Sequence, residues 1–162
     1  MQPGAQGVPM KSDSCELCQG DGGELLYRGP RYRVVRVTGA EGESYPGFCR
    51  VIWNDHVKEM SDLSDAERQQ FMAAVFTVET ALRTSMRPEK MNLASLGNMT
   101  PHLHWHVIPR FSSDPTYPKP IWAAAIAPPP QIDKLVPEQG IRSTDAHVEW
   151  VSAVRNALDN IG

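Results

Sequence analysis

Apolar positions change their spacing several times along the chain, and each change marks an element. In "GELLYRGPRYRVVRVTG" two β-rich runs, Glu24–Arg28 and Tyr32–Val37, flank Gly29-Pro30, a pair suited to a short connection. A Gly- and Ser-containing loop follows. Phe48 to Trp53, "FCRVIW", is rich in β-branched and aromatic residues and predicts a third strand. The period then shifts. Ser64 is followed three positions later by Glu67, the capping-box pattern, and Phe71, Val75, Val78 and Leu82 recur at helical spacing. This predicts one amphipathic helix ending near Arg83, before Pro88. "KMNLASL" reads as a fourth strand, Gly97-Asn98 as a turn and "HLHWHVIPRF" as a fifth strand. The order βββαββ predicts an α+β fold, an antiparallel sheet of about five strands with one main helix on a face.

Beyond Phe111 the character shifts. Nine of the 14 prolines lie from Pro101 to Pro137, and "APPP" at 127–130 reads as a semi-rigid connector. "STDAHVEWVSAVRNALDNIG" then predicts a C-terminal helix with its N-cap near Thr144 or Asp145. Val148, Val151, Val154, Leu158 and Ile161 would form its apolar face. The chain thus divides into a flexible polar leader (1–14), a main domain (15–122), and a Pro-rich connector with the C-terminal helix (123–162). Trp122 follows "PTYPKP", which cannot pair as a central strand. It either covers an open site or seam, or plugs the edge of the core.

Composition narrows the class. A chain of 162 residues, 41% hydrophobic and 22% charged, suits one globular unit. A net charge of −3 gives no basis for sequence-independent nucleic-acid binding. No apolar run approaches the ~20 residues of a membrane span, and the first thirty residues hold no signal-peptide apolar region. No membrane partner and a cytoplasmic location are therefore expected. Three cysteines, an odd count, argue against a disulfide framework.

The concentrated chemistry is in "PHLHWHVIPR", which holds three of the five histidines. Strand alternation puts His102, His104 and His106 on one face and Leu103, Trp105 and Val107 on the other. The apolar set is the core side. The imidazoles then face outward, neighbours roughly 6.5–7 Å apart along the strand. That row suits contacts to an extended anion, or a nucleophile flanked by two helpers. A half-exposed strand that happens to carry His is the plain alternative. A metal pair is another, though no Asp or Glu lies on this face to complete it.

His102-Leu103-His104-Trp105-His106-Val107-Ile108 resembles the His-φ-His-φ-His-φ-φ signature (φ apolar) of the histidine triad (HIT) family of nucleotide hydrolases and transferases. "YPGFCRVIWNDHVKEMSDLS" and "NLASLGN" resemble the family's flanking segments. The likeness spans about residues 15 to 122 and looks closest to the bacterial diadenosine tetraphosphate hydrolase-like branch. It implies a hydrolase of a purine nucleoside phosphoanhydride or phosphoramidate, such as a diadenosine polyphosphate, with no cofactor required for catalysis. His104 would attack the α-phosphate to give a nucleotidyl-histidine, which water then cleaves. His106 would bind phosphate oxygens or steer the leaving group, and His102 would orient its neighbour. Neutral imidazole, with a pKa of about 6.5, is a competent nucleophile near pH 7. Asn92 and Asn98 would serve the phosphate and the nucleophile's other ring nitrogen. Asn98 stands where the family often has Gln, and Met99 where it often has a hydroxyl residue; Thr100 offers a hydroxyl one position later. Arg110 reads either as a phosphate ligand or as a solvated strand-end residue. The alternatives are a nucleotidyltransferase, whose branch usually carries Gln where this chain keeps His106, and a non-catalytic nucleotide-binding regulator. Family members often form homodimers.

"CELC" sets Cys15 and Cys18 at zinc-knuckle spacing, which also fits two plain thiols or a redox pair. The resemblance supplies two further ligands for a structural zinc, His56 and His102. Cys49 reads as a small buried hydrophobe.

Overall fold

The structure, a computed structural model, describes residues 10–125 and 144–161. Five strands form one sheet: β1 (Glu24–Arg28), β2 (Tyr32–Arg36), β3 (Cys49–Trp53), β4 (Lys90–Ala94) and β5 (His104–Arg110). Their spatial order is β1-β2-β3-β5-β4, every neighbouring pair antiparallel. The predicted α+β sheet is thus present, with β5, the strand of the histidines, in its interior.

Among the described residues four α-helices accompany it, α1 (Glu16–Gln19), α2 (Gly39–Ser44), α3 (Asp65–Met86) and α4 (Thr144–Asp159), with one 3-10 turn at Met60–Asp62. The capping box holds at α3. Ser64 N–H donates to the Glu67 carboxylate at 2.9 Å, and Glu67 N–H donates back to Ser64 Oγ at 3.4 Å. The helix runs three residues past Arg83, to Met86. Arg87 then leaves it in the left-handed conformation (φ 51°), as the residue before Pro88 is kept out of the right-handed helical region. The hydrophobic period does not reveal α2, because its six residues bury no side chain.

One face of the sheet carries the main core, packed against α3 and α4. Phe71, Val75, Val78 and Leu82 of α3 are fully buried there. From α4 come Trp150, Val151, Val154 and Leu158. Val148 is a correction to the predicted face of that helix: it is 58% exposed, and Trp150 takes the contact. Trp105 belongs to the core side as expected, half-buried at its margin, with its indole N–H 3.4 Å from Met60 Sδ.

The opposite face is covered in two patches. Cys15, Leu17 and Cys18 pack on Val35 and Ile52 at one end, and Tyr45, Phe48 and Ile121 pack on Val37 and Ile108 at the other. The histidines lie between them. The leader's end is fastened to the body, since His56 N–H donates to the Met10 carbonyl. The "APPP" connector lies outside the described residues.

Candidate active site

Cross-strand pairing aligns Arg33, Ile52 and His104 in one row and Val35, Arg50 and His106 in the next, all on the face opposite the main core. The triad's face assignment is therefore right for His104 and His106. Its expected exposure is not: His102, His104 and His106 are 1%, 7% and 6% exposed, because the two apolar patches close over them. The expected row of evenly spaced rings is absent too. β5 begins only at His104, and His102 turns away toward the cysteine pair.

His104 Nδ1 lies 2.6 Å from the His102 carbonyl oxygen. A carbonyl only accepts, so Nδ1 carries the proton and Nε2 keeps its lone pair. That Nε2 is 3.1 Å from His106 Nε2, with ring centroids 4.7 Å apart. Burial is the main cause that lowers the pKa of His104, and the Arg50 charge adds to it. The same causes, with His104 itself, push His106 down to about 3. Both rings are neutral at pH 7. His106 Nδ1 is buried without a hydrogen-bond partner.

A cavity of about 340 Å³ opens onto the pair, within the usual range for small-molecule sites. Asn98, Thr100, Arg50, Glu16, Met99 and Trp122 are among its lining residues. Gly97 turns the chain there at φ 97°, a region that favours glycine. Thr100 Oγ1 donates to Glu16 Oε1 at 2.6 Å. Trp122 stands at the mouth, 47% exposed, its ring centroid 5.1 Å from that of His106. It is therefore not a core plug.

Two expectations change here. Asn92 is not part of this lining; it lines the adjoining depression beside Trp122, and its Oδ1 accepts from Arg110 Nη1 at 2.8 Å. The Nδ1 of His104 is held by backbone rather than by an Asn. Arg110, offered as a phosphate ligand or a solvated strand end, is neither: it is 2% exposed and paired with Asp114 at 2.8 Å. Sequence reasoning missed Arg50. The signal was an arginine inside the apolar run "FCRVIW", where alternation assigns it to the histidine face. A larger groove between α3 and α4, about 600 Å³, is lined by small and apolar residues with Glu149 and holds no imidazole or thiol.

The ligand atoms of Cys15, Cys18, His56 and His102 all lie within 4.8 Å of one another. His102 Nε2–H donates to the Trp53 carbonyl at 2.7 Å, so its Nδ1 lone pair faces the two sulfurs at 3.4 and 3.5 Å. Cys18 Sγ is 3.4 Å from His56 Nδ1. Tetrahedral zinc, with Zn–S of about 2.3 Å and Zn–N of about 2.0–2.1 Å, sets S and N about 3.5–3.6 Å apart. The donor set fits that ion in kind, and the three S–N distances fit its spacing.

The fold and the site together define a protein that carries a buried pair of imidazoles on an interior antiparallel strand. The HIT domain profile matches residues 31–113, and the chain belongs to that family of nucleotide hydrolases and transferases. A curated relative, named AP-4-A phosphorylase, from Mycobacterium tuberculosis is 28% identical over 89 residues, 51% of this chain and 46% of that protein. The chain thus spans about half the length of the curated relative it matches. Among solved structures, a histidine triad protein from Bradyrhizobium japonicum is similar at a TM-score of 0.63 and 24% identity, covering 85% of this chain and 91% of its own. One from Marinobacter aquaeolei gives 0.64 and 21%, covering 88% and 93%. These two likenesses speak to the fold. No helix among the described residues is long and apolar enough to cross a membrane.

Proposed function

We propose that the protein cleaves a nucleoside polyphosphate, such as a diadenosine polyphosphate, at the α-phosphate through a covalent nucleotidyl-His104. The observation that carries this reading is the hydrogen bond from His104 Nδ1–H to the His102 carbonyl. It leaves Nε2 unprotonated at a cavity of nucleotide-binding size, its lone pair met only by the His106 Nε2–H. Attack forms the Nε2–P bond, and the bond from phosphorus to the bridging oxygen breaks. The leaving phosphate takes the electron pair. His106 Nε2–H, now hydrogen-bonded to His104, turns to the phosphate oxygens once His104 Nε2 is bonded to phosphorus. Asn98 binds phosphate oxygens from the cavity wall, and Thr100 joins it by turning its hydroxyl proton from Glu16 to the phosphate. Water then attacks the adduct, frees the nucleoside monophosphate and restores His104. Proximity and charge stabilisation supply most of the acceleration.

A second acceptor has specific support in the relative named a phosphorylase. Inorganic phosphate in place of water would release a nucleoside diphosphate. The two outcomes separate in one assay. With diadenosine tetraphosphate, hydrolysis yields AMP and ATP whether or not phosphate is present, whereas phosphorolysis yields ADP and ATP only when phosphate is added. No turnover under either condition overturns both readings.

The Cys15, Cys18, His56 and His102 cluster takes a structural zinc in this account. The ion would join the residue 15–18 segment to the entry of β5, fixing the His102 carbonyl that orients His104. Thiol S–H donation to the imidazole nitrogens is the competing explanation of the same contacts, and metal content separates the two.

A further inference from the structure

Four arginines lie on the histidine face of the sheet; Arg28, at its edge, is exposed and paired with Asp21, and two of the others are saturated. Arg33 donates to the carbonyls of Leu17, Gly20 and Asp21 and to the Asn54 side chain. Arg110 donates to Asp114, Asn92, Thr116 and the Lys119 carbonyl. Both are 4% exposed or less, and both tie surface segments to the sheet. Arg50 differs. Its Nη1 donates to the Gly22 carbonyl at 3.3 Å and its Nη2 to Glu41 Oε2 at 3.4 Å, both long contacts. Its Nε is buried with no partner. A guanidinium offers five N–H donors, and an unmet buried donor is costly.

The arginine short of partners is the one that lines the catalytic cavity. Arg50 sits opposite His106 in the β3–β5 register and carries the only permanent positive charge among the lining residues. The one carboxylate there, Glu16, is engaged by the Thr100 hydroxyl. The Arg50 guanidinium lies 5.7 Å from the Phe48 ring centroid, which restricts where its free edge can turn. The other buried side-chain atom without a partner among the described residues is Nδ1 of His106, its register neighbour. With its proton on Nε2, the His106 Nδ1 is an acceptor, so the unmet donor of the pair is Arg50 Nε, and it calls for a ligand rich in acceptors. A phosphate supplies several, and a guanidinium fork binds it with geometric selectivity.

We infer that Arg50 binds the second phosphoryl group of the substrate and makes the site selective for nucleotides with two or more phosphates over those with one. This rests on the proposed function, in which His104, His106 and Asn98 meet the α-phosphate. Those groups can hold one phosphoryl unit; Arg50 remains for the next. The chain is then a phosphoanhydride enzyme in preference to a phosphoramidate enzyme, because the leaving group of an amidate carries no anion for Arg50 to hold.

Binding and turnover test this separately. Calorimetry of AMP and ADP with wild-type protein, Arg50→Gln and Arg50→Lys reads the second phosphate without any need for catalysis. ADP is expected to bind wild type at least tenfold more tightly than AMP. Arg50→Gln should abolish that increment and Arg50→Lys should restore part of it. Glu41→Gln, which removes only the long ion pair, should keep it, whereas a purely structural Arg50–Glu41 role would make the two variants alike. In turnover, Arg50→Gln should lower kcat/KM for diadenosine tetraphosphate at least tenfold more than for adenosine 5′-phosphoramidate. Equal binding of AMP and ADP by wild type overturns the inference, as does an unchanged increment in Arg50→Gln. Wild-type protein that binds ADP in the expected way yet turns over neither substrate would instead overturn the proposed function and leave the inference standing.

Discussion

Asp114→Asn isolates the buried charge that anchors the segment carrying Trp122. Arg110 and Asp114 have side chains only 2% exposed, and Asp114 Oδ2 also accepts from the Phe111 N–H at 3.0 Å. Arg110 reaches on to the Thr116 hydroxyl and the Lys119 carbonyl, so one guanidinium fastens several points of the chain between β5 and Trp122. The amide keeps the shape of Asp114 and leaves the guanidinium charge uncompensated. Breaking a buried pair in this way costs about 3–5 kcal/mol. In a chain of this length each kcal/mol moves the melting temperature by about 2–4 °C, so a fall of about 6–20 °C is expected. Raising the salt concentration should not hide the loss, because a pair this buried is weakly screened. Differential scanning calorimetry with a parallel urea titration measures it. Arg110→Met with Asp114→Leu removes both charges and should lose less than the single change, since no orphan charge remains. A single variant that melts within about 2 °C of wild type would refute the burial and pairing on which this magnitude rests.

Protein prepared without chelator should carry about one equivalent of zinc by elemental analysis, and Cys15→Ser should lose it; metal-free wild-type protein would remove the structural ion from the account. Stability should fall as the pH drops. His106 titrates at about 3 in the folded chain against an ordinary 6.5 unfolded, so the unfolded state takes up the proton first. The loss begins near pH 6.5 and reaches about 2 kcal/mol at pH 5. His106→Asn should flatten the melting-temperature profile over that window, and an unchanged slope would contradict the assignment. Trp122→Ala should alter nucleotide preference more than stability, and in protein with the other three Trp replaced the Trp122 fluorescence should change on adding nucleotide. A silent signal with a large fall in melting temperature would return Trp122 to a packing role.

Where local physics decides the conformation, the sequence was readable. The capping box at Ser64 and the spacing of Phe71, Val75, Val78 and Leu82 located α3, because a half-buried helix must show its period. Alternation located β5 and the right face for His104 and His106. What failed depended on neighbours distant in sequence. Nothing within "HLHWH" shows that residues 15–18 and Tyr45–Phe48 will cover the outer face, so buried histidines read as exposed. Arg110 read as a strand end because its partner Asp114 looks like loop chemistry until the loop folds back. Trp150 displaced Val148 from the apolar face of α4 because the packing of that helix on α3 and β1 sets which side turns inward.

The central claim is that His104 Nε2 becomes covalently bonded to the substrate's α-phosphorus. Rapid quench of wild-type protein with diadenosine tetraphosphate into alkaline denaturant, followed by peptide mass spectrometry, tests it directly, since a phosphorus–imidazole bond survives base and is lost in acid. The account predicts one nucleotidyl group on the peptide containing His104, placed on His104 by fragmentation, cleared by brief acid and absent from His104→Ala. Turnover that proceeds with no adduct, an adduct on His102 or His106, or substantial activity in His104→Ala would contradict it.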